Sequence, residues 1–131
     1  MTNATQTLRR PEELTRAGLV PPDKAAALDE VARRYAVAIT PAIADLIVTD
    51  DPSDPIAAQF VPTPAELDIQ PEEMDDPIGD DAHSPVPGIV HRYPDRVLLK
   101  PVHVCAVYCR FCFRRAMVGP GKSKALTPQA L

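Results

Sequence analysis

Sixteen prolines are spread over 131 residues, and eight of them fall between Asp50 and Pro87. An interior proline removes a helical hydrogen bond and clashes with the preceding turn. A long coiled coil and a purely helical bundle are therefore excluded. The length allows about one small domain, or a piece of a larger one. With 45% hydrophobic and 24% charged residues, the composition is that of a globular chain rather than a disordered one. No apolar run approaches the roughly 20 residues that a bilayer-spanning helix needs. The opening MTNATQTLRRPEEL lacks the apolar core of a secretion signal. These features predict a soluble, cytoplasmic protein with no membrane partner.

The net charge of -4 hides a division. Residues 1–90 hold 17 of the 18 acids and 6 of the 14 bases, whereas residues 91–131 hold 1 acid and 8 bases. The last third is thus suited to anionic company: nucleic acid, the acidic front segment or an anionic cofactor. All three cysteines lie in it, within eight residues. An odd, clustered set without a secretion signal argues for metal or redox chemistry over a disulfide framework.

Three segments follow from the local signals. Residues 1–48 read as a helical region. Pro11 opens a short helix that Gly18 stops. A second helix is predicted behind Asp23 as N-cap, with Ala25, Leu28, Val31, Ala32 and Tyr35 on its apolar face and an Asp29–Arg33 pair in support. A third starts at Thr40-Pro41 and is expected to run to about Val48. Residues 49–90 form an acidic, proline-rich strap with short helical turns after Asp54 and Thr63. Ile56, Phe60, Val61, Leu67, Ile69 and Ile78 are too many apolar residues for a free linker, so the strap is expected to be ordered. Residues 91–131 hold one clear strand, Arg96 to about Lys100, whose continuous Val97-Leu98-Leu99 suits a strand buried on both faces of a parallel sheet. A cysteine loop follows, then a GPGKSK loop and a helix start at Thr127-Pro128. Strand, functional loop and helix together predict an α/β fold with a first βα unit. A chain that stops as a helix begins reads as cut short.

The chemistry concentrates in Cys105-Ala106-Val107-Tyr108-Cys109-Arg110-Phe111-Cys112, a C-x3-C-x2-C spacing. Three thiolates so close can hold one iron–sulfur cluster. A [4Fe–4S] cube normally takes four cysteines, so three leave one iron open to a reacting ligand. Two other readings stand beside this one. His103 with Cys105, Cys109 and Cys112 makes a nominal Cys3His zinc set, although zinc ligands usually come as two separated pairs. Arg92, Arg96, Arg110, Arg114 and Arg115, interleaved with Tyr93, Phe111 and Phe113, would suit nucleic acid. That second reading leaves the cysteines unexplained, so no nucleic-acid partner is expected.

The cysteine triad, with an aromatic before its last member, resembles the signature of the radical S-adenosylmethionine (SAM) enzymes. RYAVAITPAIADLI, DPIAAQFVP, DPIGDDAHSP and HRYPDRVLLKPVHVCAVYCRFCFRR further resemble the lysine 2,3-aminomutase family, as its N-terminal part from about residue 10 onward. The resemblance implies the start of a radical SAM (β/α) barrel, truncated here, in an isomerase that moves the α-amino group of L-lysine to the β-carbon. It implies a [4Fe–4S] cluster on Cys105, Cys109 and Cys112, with SAM chelated to the open iron and cleaved to a 5′-deoxyadenosyl radical. Phe111 would lie near the adenine. Pyridoxal 5′-phosphate (PLP) would be the second cofactor, with Arg92, Tyr93 and Arg96 of HRYPDR at its phosphate and Arg114 on the substrate carboxylate. Arginine forks suit both anions.

The resemblance also implies an external electron donor and a homo-oligomer at full length. The PLP lysine and the acids that read the substrate's distal amine belong to the family's C-terminal half. A full α/β barrel takes roughly 250 residues, so these 131 residues are expected to be inactive alone. Relatives acting on glutamate or on a protein-bound lysine share the cysteine loop. A non-catalytic zinc-binding interaction module is the alternative from another class.

Overall fold

In the computed structural model, residues 4–122, 126, 127 and 129 are described. Two compact units emerge. One contains the chain up to Pro71 together with Cys105–Cys112; the other contains Glu72–Val104 and the residues from Phe113 on.

The first unit is helical and proline-punctuated. Helix α1 (Pro11–Arg16) has proline at its first position. Glu13 accepts hydrogen bonds from the N–H groups of Arg9 (2.6 Å) and Arg10 (3.1 Å). These satisfy donors at the helix start and help to hold the Glu13 carboxyl below its ordinary pKa, the Arg9 bond being the largest influence. Gly18 ends the helix at φ +76°, a conformation other residues rarely adopt. There its N–H reaches Thr15 O (3.0 Å) and the N–H of Leu19 reaches Leu14 O (2.9 Å).

Helix α2 (Ala25–Arg34) follows a 3₁₀ turn at Pro22–Lys24. Asp23 sits inside that turn and is not the N-cap; the cap position falls to Lys24, which makes no side-chain bond. The proline pair Pro21-Pro22 starts the turn one step earlier than an Asp cap would. Arg33 pairs with Glu30 one turn back, not with the predicted Asp29. Leu28, Val31 and Tyr35 are buried as the apolar periodicity predicts.

Helix α3 is only Pro41–Ala44, not an element reaching Val48. Past Ala44 the bonds tighten to Leu46 N–Ile43 O (3.1 Å) and Ile47 N–Ala44 O (3.2 Å), a turn that buries Ile47 and leaves Leu46 and Val48 exposed. Helix α4 (Pro55–Phe60) starts at Asp54, whose buried carboxylate accepts from Ala57 N (2.6 Å) and from Val48 N (3.2 Å). A 3₁₀ turn, Pro64–Leu67, is capped reciprocally by Thr63 and Glu66. The core of this unit joins Leu8, Leu14, Val20, Leu28, Val31, Tyr35, Val37, Ile39 and Ala44, with Phe60, Val61 and Leu67 packed against it. Leu8 and Ile39 exchange backbone hydrogen bonds of 2.8 and 3.0 Å as an isolated bridge.

The second unit is built on a hairpin of β1 (Ile89–Tyr93) and β2 (Arg96–Leu99), paired antiparallel with a bulge between Val90 and Tyr93. This corrects two expectations. A second strand exists, in Ile89–Tyr93. The apolar run is not buried in a parallel sheet: Val97, Leu98 and Leu99 are 51%, 43% and 51% exposed. Pro94-Asp95 makes a two-residue turn, and a local hairpin is the pairing a strand finds first. Gly88, at φ +81°, enters β1 where any Cβ would collide with Leu126. Among the described residues no α-helix follows the cysteine loop, and no helix is long and apolar enough to cross a membrane. The predicted helix start at Thr127-Pro128 falls largely outside the described residues. The molecule is thus a mixed helix and strand structure.

Candidate functional site

The cysteine loop has no regular secondary structure, which leaves its side chains to be aimed by individual anchors. Two residues between the cysteines point inward. Tyr108 is buried; its N–H donates to Ala38 O at 3.2 Å, and its hydroxyl accepts from Cys105 N at 3.4 Å. Arg110 is also buried, and its N–H donates to Gln59 O at 2.7 Å. Cys105 and Cys109 face outward, Cys112 is half-buried, and Phe111 is 78% exposed. The three thiols are free.

Among the described residues, no three of His, Cys, Asp and Glu stand close enough together to hold a metal ion. Neither the three cysteines nor the Cys3His set with His103 is gathered. The donor chemistry itself fits an iron–sulfur cluster: three unoxidised thiols in eight residues, on an irregular and largely exposed loop.

The second unit gathers two of the predicted arginines on a residue that the sequence reading left out. Asp80 is fully buried. Its Oδ1 accepts from Arg92 Nη2 and its Oδ2 from Arg114 Nε, both at 2.7 Å. Arg92 Nη2 also donates to Ile78 O at 2.5 Å, and Nη1 lies 3.5 Å from His83 Nδ1. His83 in turn contacts Gly79 O at 2.8 Å, so it packs within the turn that carries Asp80. Asp80 engages Arg114 through Nε, which orients the guanidinium, and the Arg114 side chain keeps 27% of its surface exposed. The ring of Phe113 lies 4.7 Å from that guanidinium. Asp80 is fixed by its own backbone too: its N–H donates to Asp76 Oδ1 (2.8 Å), and its carbonyl accepts from Ser84 Oγ (2.8 Å).

Tyr93 and Arg96 sit elsewhere on the hairpin, stacked on each other with the guanidinium 4.4 Å from the ring centre. Arg96 is mostly exposed and weakly paired with Asp95 at 3.6 Å. Arg115 pairs with Glu73 at 3.4 Å. In the sequence Asp80 is one of six acids from Glu72 to Asp81, indistinguishable from the others by type. Its one distinguishing signal is the Gly79 turn before it.

Burial pushes the Asp80 carboxyl up, but the hydrogen bonds and charges of Arg114 and Arg92 more than offset this and hold it below the ordinary aspartate range. A carboxyl lowered on folding stabilises fully above its unfolded pKa and loses that contribution as pH falls through the folded value. Urea unfolding of the chain and of Asp80→Asn should therefore show a constant stability gap from about pH 7 to about pH 5, closing below about pH 4. A gap that widens toward acid would contradict the assignment.

No family model matches the chain. The L-lysine 2,3-aminomutase of Clostridium subterminale is 48% identical over 83 residues, which are 63% of this chain and 20% of that protein. The L-lysine 2,3-aminomutase of Bacillus subtilis is 44% identical over 81 residues, 62% of this chain and 17% of that protein. The glutamate 2,3-aminomutase of Clostridioides difficile is 36% identical over 107 residues, 79% of this chain and 25% of that protein. The chain spans between about a sixth and a quarter of the length of these curated relatives.

Proposed function

From the homology of about two-thirds of this chain to the L-lysine 2,3-aminomutases, we propose that it is part of a radical SAM, PLP-dependent aminomutase acting on L-lysine. The identity of up to 48% to enzymes of that name carries the reading. Cys105, Cys109 and Cys112 would hold the [4Fe–4S] cluster, and exposed Phe111 is available to an adenine ring. When bound, the cluster and SAM supply the radical that starts the rearrangement, and PLP supplies the carrier for the migrating nitrogen.

This chain's own residues bind and orient. Arg92, Tyr93 and Arg96 are assigned to the PLP phosphate, with Arg92 held in place by Asp80. Arg114 presents its outer fork to the substrate carboxylate, a bidentate match that lysine could not make. The 17-to-6 excess of acid over base in residues 1–90 and the reverse in residues 91–131 put the positive charge with these anion sites. The exposed apolar strand β2 is assigned to the start of a (β/α) barrel whose remaining strands would cover it.

A second substrate class is favoured by one observation. The glutamate enzyme matches more of the chain, 79%, though at 36% identity. Arg114 suits either substrate, because both carry the same α-carboxylate.

Anaerobic reconstitution of the purified chain with iron and sulfide tests the proposal. About four irons per chain and a reduced-cluster EPR signal that changes on adding SAM are expected. Cys105→Ala, Cys109→Ala and Cys112→Ala should each abolish the signal, while His103→Ala should leave it. One tightly held zinc, lost in His103→Ala, would replace this reading with a zinc-binding module.

A further inference from the structure

Arg110 is the one charged residue inside the cysteine motif, and it does not face the cysteines' side of the loop. Its side chain is 6% exposed, and that of its partner Glu66 is 11% exposed. The contact is a two-pronged fork: Nε to Oε1 at 3.0 Å and Nη2 to Oε2 at 2.6 Å. The remaining nitrogen, Nη1, donates to Ala36 O at 2.8 Å. With the backbone bond to Gln59 O, one residue ties the loop to three separate stretches of the helical unit. Glu66 is itself fixed, since Oε1 accepts from Thr63 N at 3.1 Å and caps its own turn. Forty-four residues separate the partners, so only the fold brings them together.

We propose that Arg110, locked by Glu66, is the positioning residue of the cysteine loop: it pulls the backbone inward between Cys109 and Cys112, so that the flanking cysteines are presented to a cluster. Tyr108 and Arg110 are buried, whereas Cys109 and Phe111 beside them are exposed. The cluster half of this statement rests on the function proposed above; the positioning half does not.

Two measurements on the chain separate the halves. Without iron, the alkylation rates of Cys105, Cys109 and Cys112 by iodoacetamide are followed by peptide mass spectrometry. An anchored loop gives three distinct rates. In Arg110→Gln and Glu66→Gln these should converge toward those of a short peptide of residues 103–114, while the circular dichroism of the helices persists. With iron and sulfide, both variants should lose their cluster to a chelator at least about tenfold faster than the parent, the scale expected for a lost charge-assisted bond. Arg110→Lys, which keeps the charge but not the fork, should fall between.

If the three alkylation rates stay as in the parent while thermal stability drops, the pair is only structural and the proposal fails. If the rates converge but the parent itself takes up no cluster, positioning stands and the cluster reading falls. Glu66→Gln preserves shape and packing, so it decides the matter if Arg110→Gln does not fold.

Discussion

Asp80→Ala is expected to cost the hairpin unit about 3 kcal/mol, the lower end of the range for breaking a buried ion pair. The lower end applies because the side chains of Arg92 and Arg114 each keep 27% of their surface exposed, where water screens part of the stranded charge. The loss comes less from the two vanished bonds than from two cations left crowded without their shared anion. Asp80→Asn, which still accepts one bond, should cost about half as much. Amide hydrogen exchange across residues 79–99 measures this directly: protection should fall in that stretch and not in α2. A change below about 0.5 kcal/mol, the level of an ordinary surface substitution, would mean that the two arginines do not depend on Asp80. The proposed role of Arg114 at the substrate carboxylate adds a further expectation: in the full-length enzyme the same variant should raise the substrate's KM more than it lowers kcat.

Leu14→Ala should be the most damaging substitution in the helical unit. Leu14 has no solvent exposure and sits where α1 meets α2. Truncation removes three carbons from the buried cluster that Leu14 shares with Val31 and Ile39, and a core of this size has little room to collapse. A loss of about 2–5 kcal/mol follows, enough to lower the thermal midpoint by more than about 10 °C in a unit this small. Leu46→Ala is the matched control. Leu46 is 60% exposed, and its truncation should stay within about 0.5 kcal/mol. Equal effects at the two positions, read by circular dichroism at 222 nm, would show that Leu14 is not in the core.

The helical unit was largely legible because its signals are local. Pro11 and Gly18 bracket α1, the 3.6-residue spacing of Leu28, Val31 and Tyr35 gives the buried face of α2, and Asp54 and Thr63 start turns as caps. The misreadings there were about extent and partner. α3 stopped at Ala44 because the chain tightens there into i→i−3 turns that bury Ile47 but leave Leu46 and Val48 exposed. Arg33 chose Glu30 over Asp29 because i,i+3 and i,i+4 neighbours are nearly equidistant.

The hairpin was misread for a different reason. An apolar run such as Val97-Leu98-Leu99 states that a strand is favourable, but not which strand it pairs with or which faces are covered. The cysteine spacing declared the candidate ligands, since the chemistry of three thiols is intrinsic to the residues. The arginine assignments were declared only as types. Arg92 and Arg114 meet on one carboxylate, whereas Arg96 stacks on Tyr93 at the hairpin tip.

What the sequence determined by itself is therefore the list of reactive groups, the charge division and the helix punctuation, each encoded within a few neighbouring residues. What only the tertiary structure decided is which of those groups are held, and by what. Asp80 and Glu66 look like any other acids in an acidic segment. They differ because folding takes Asp80 fully and Glu66 largely out of water and sets each against guanidinium groups: Arg92 and Arg114 for one, Arg110 for the other.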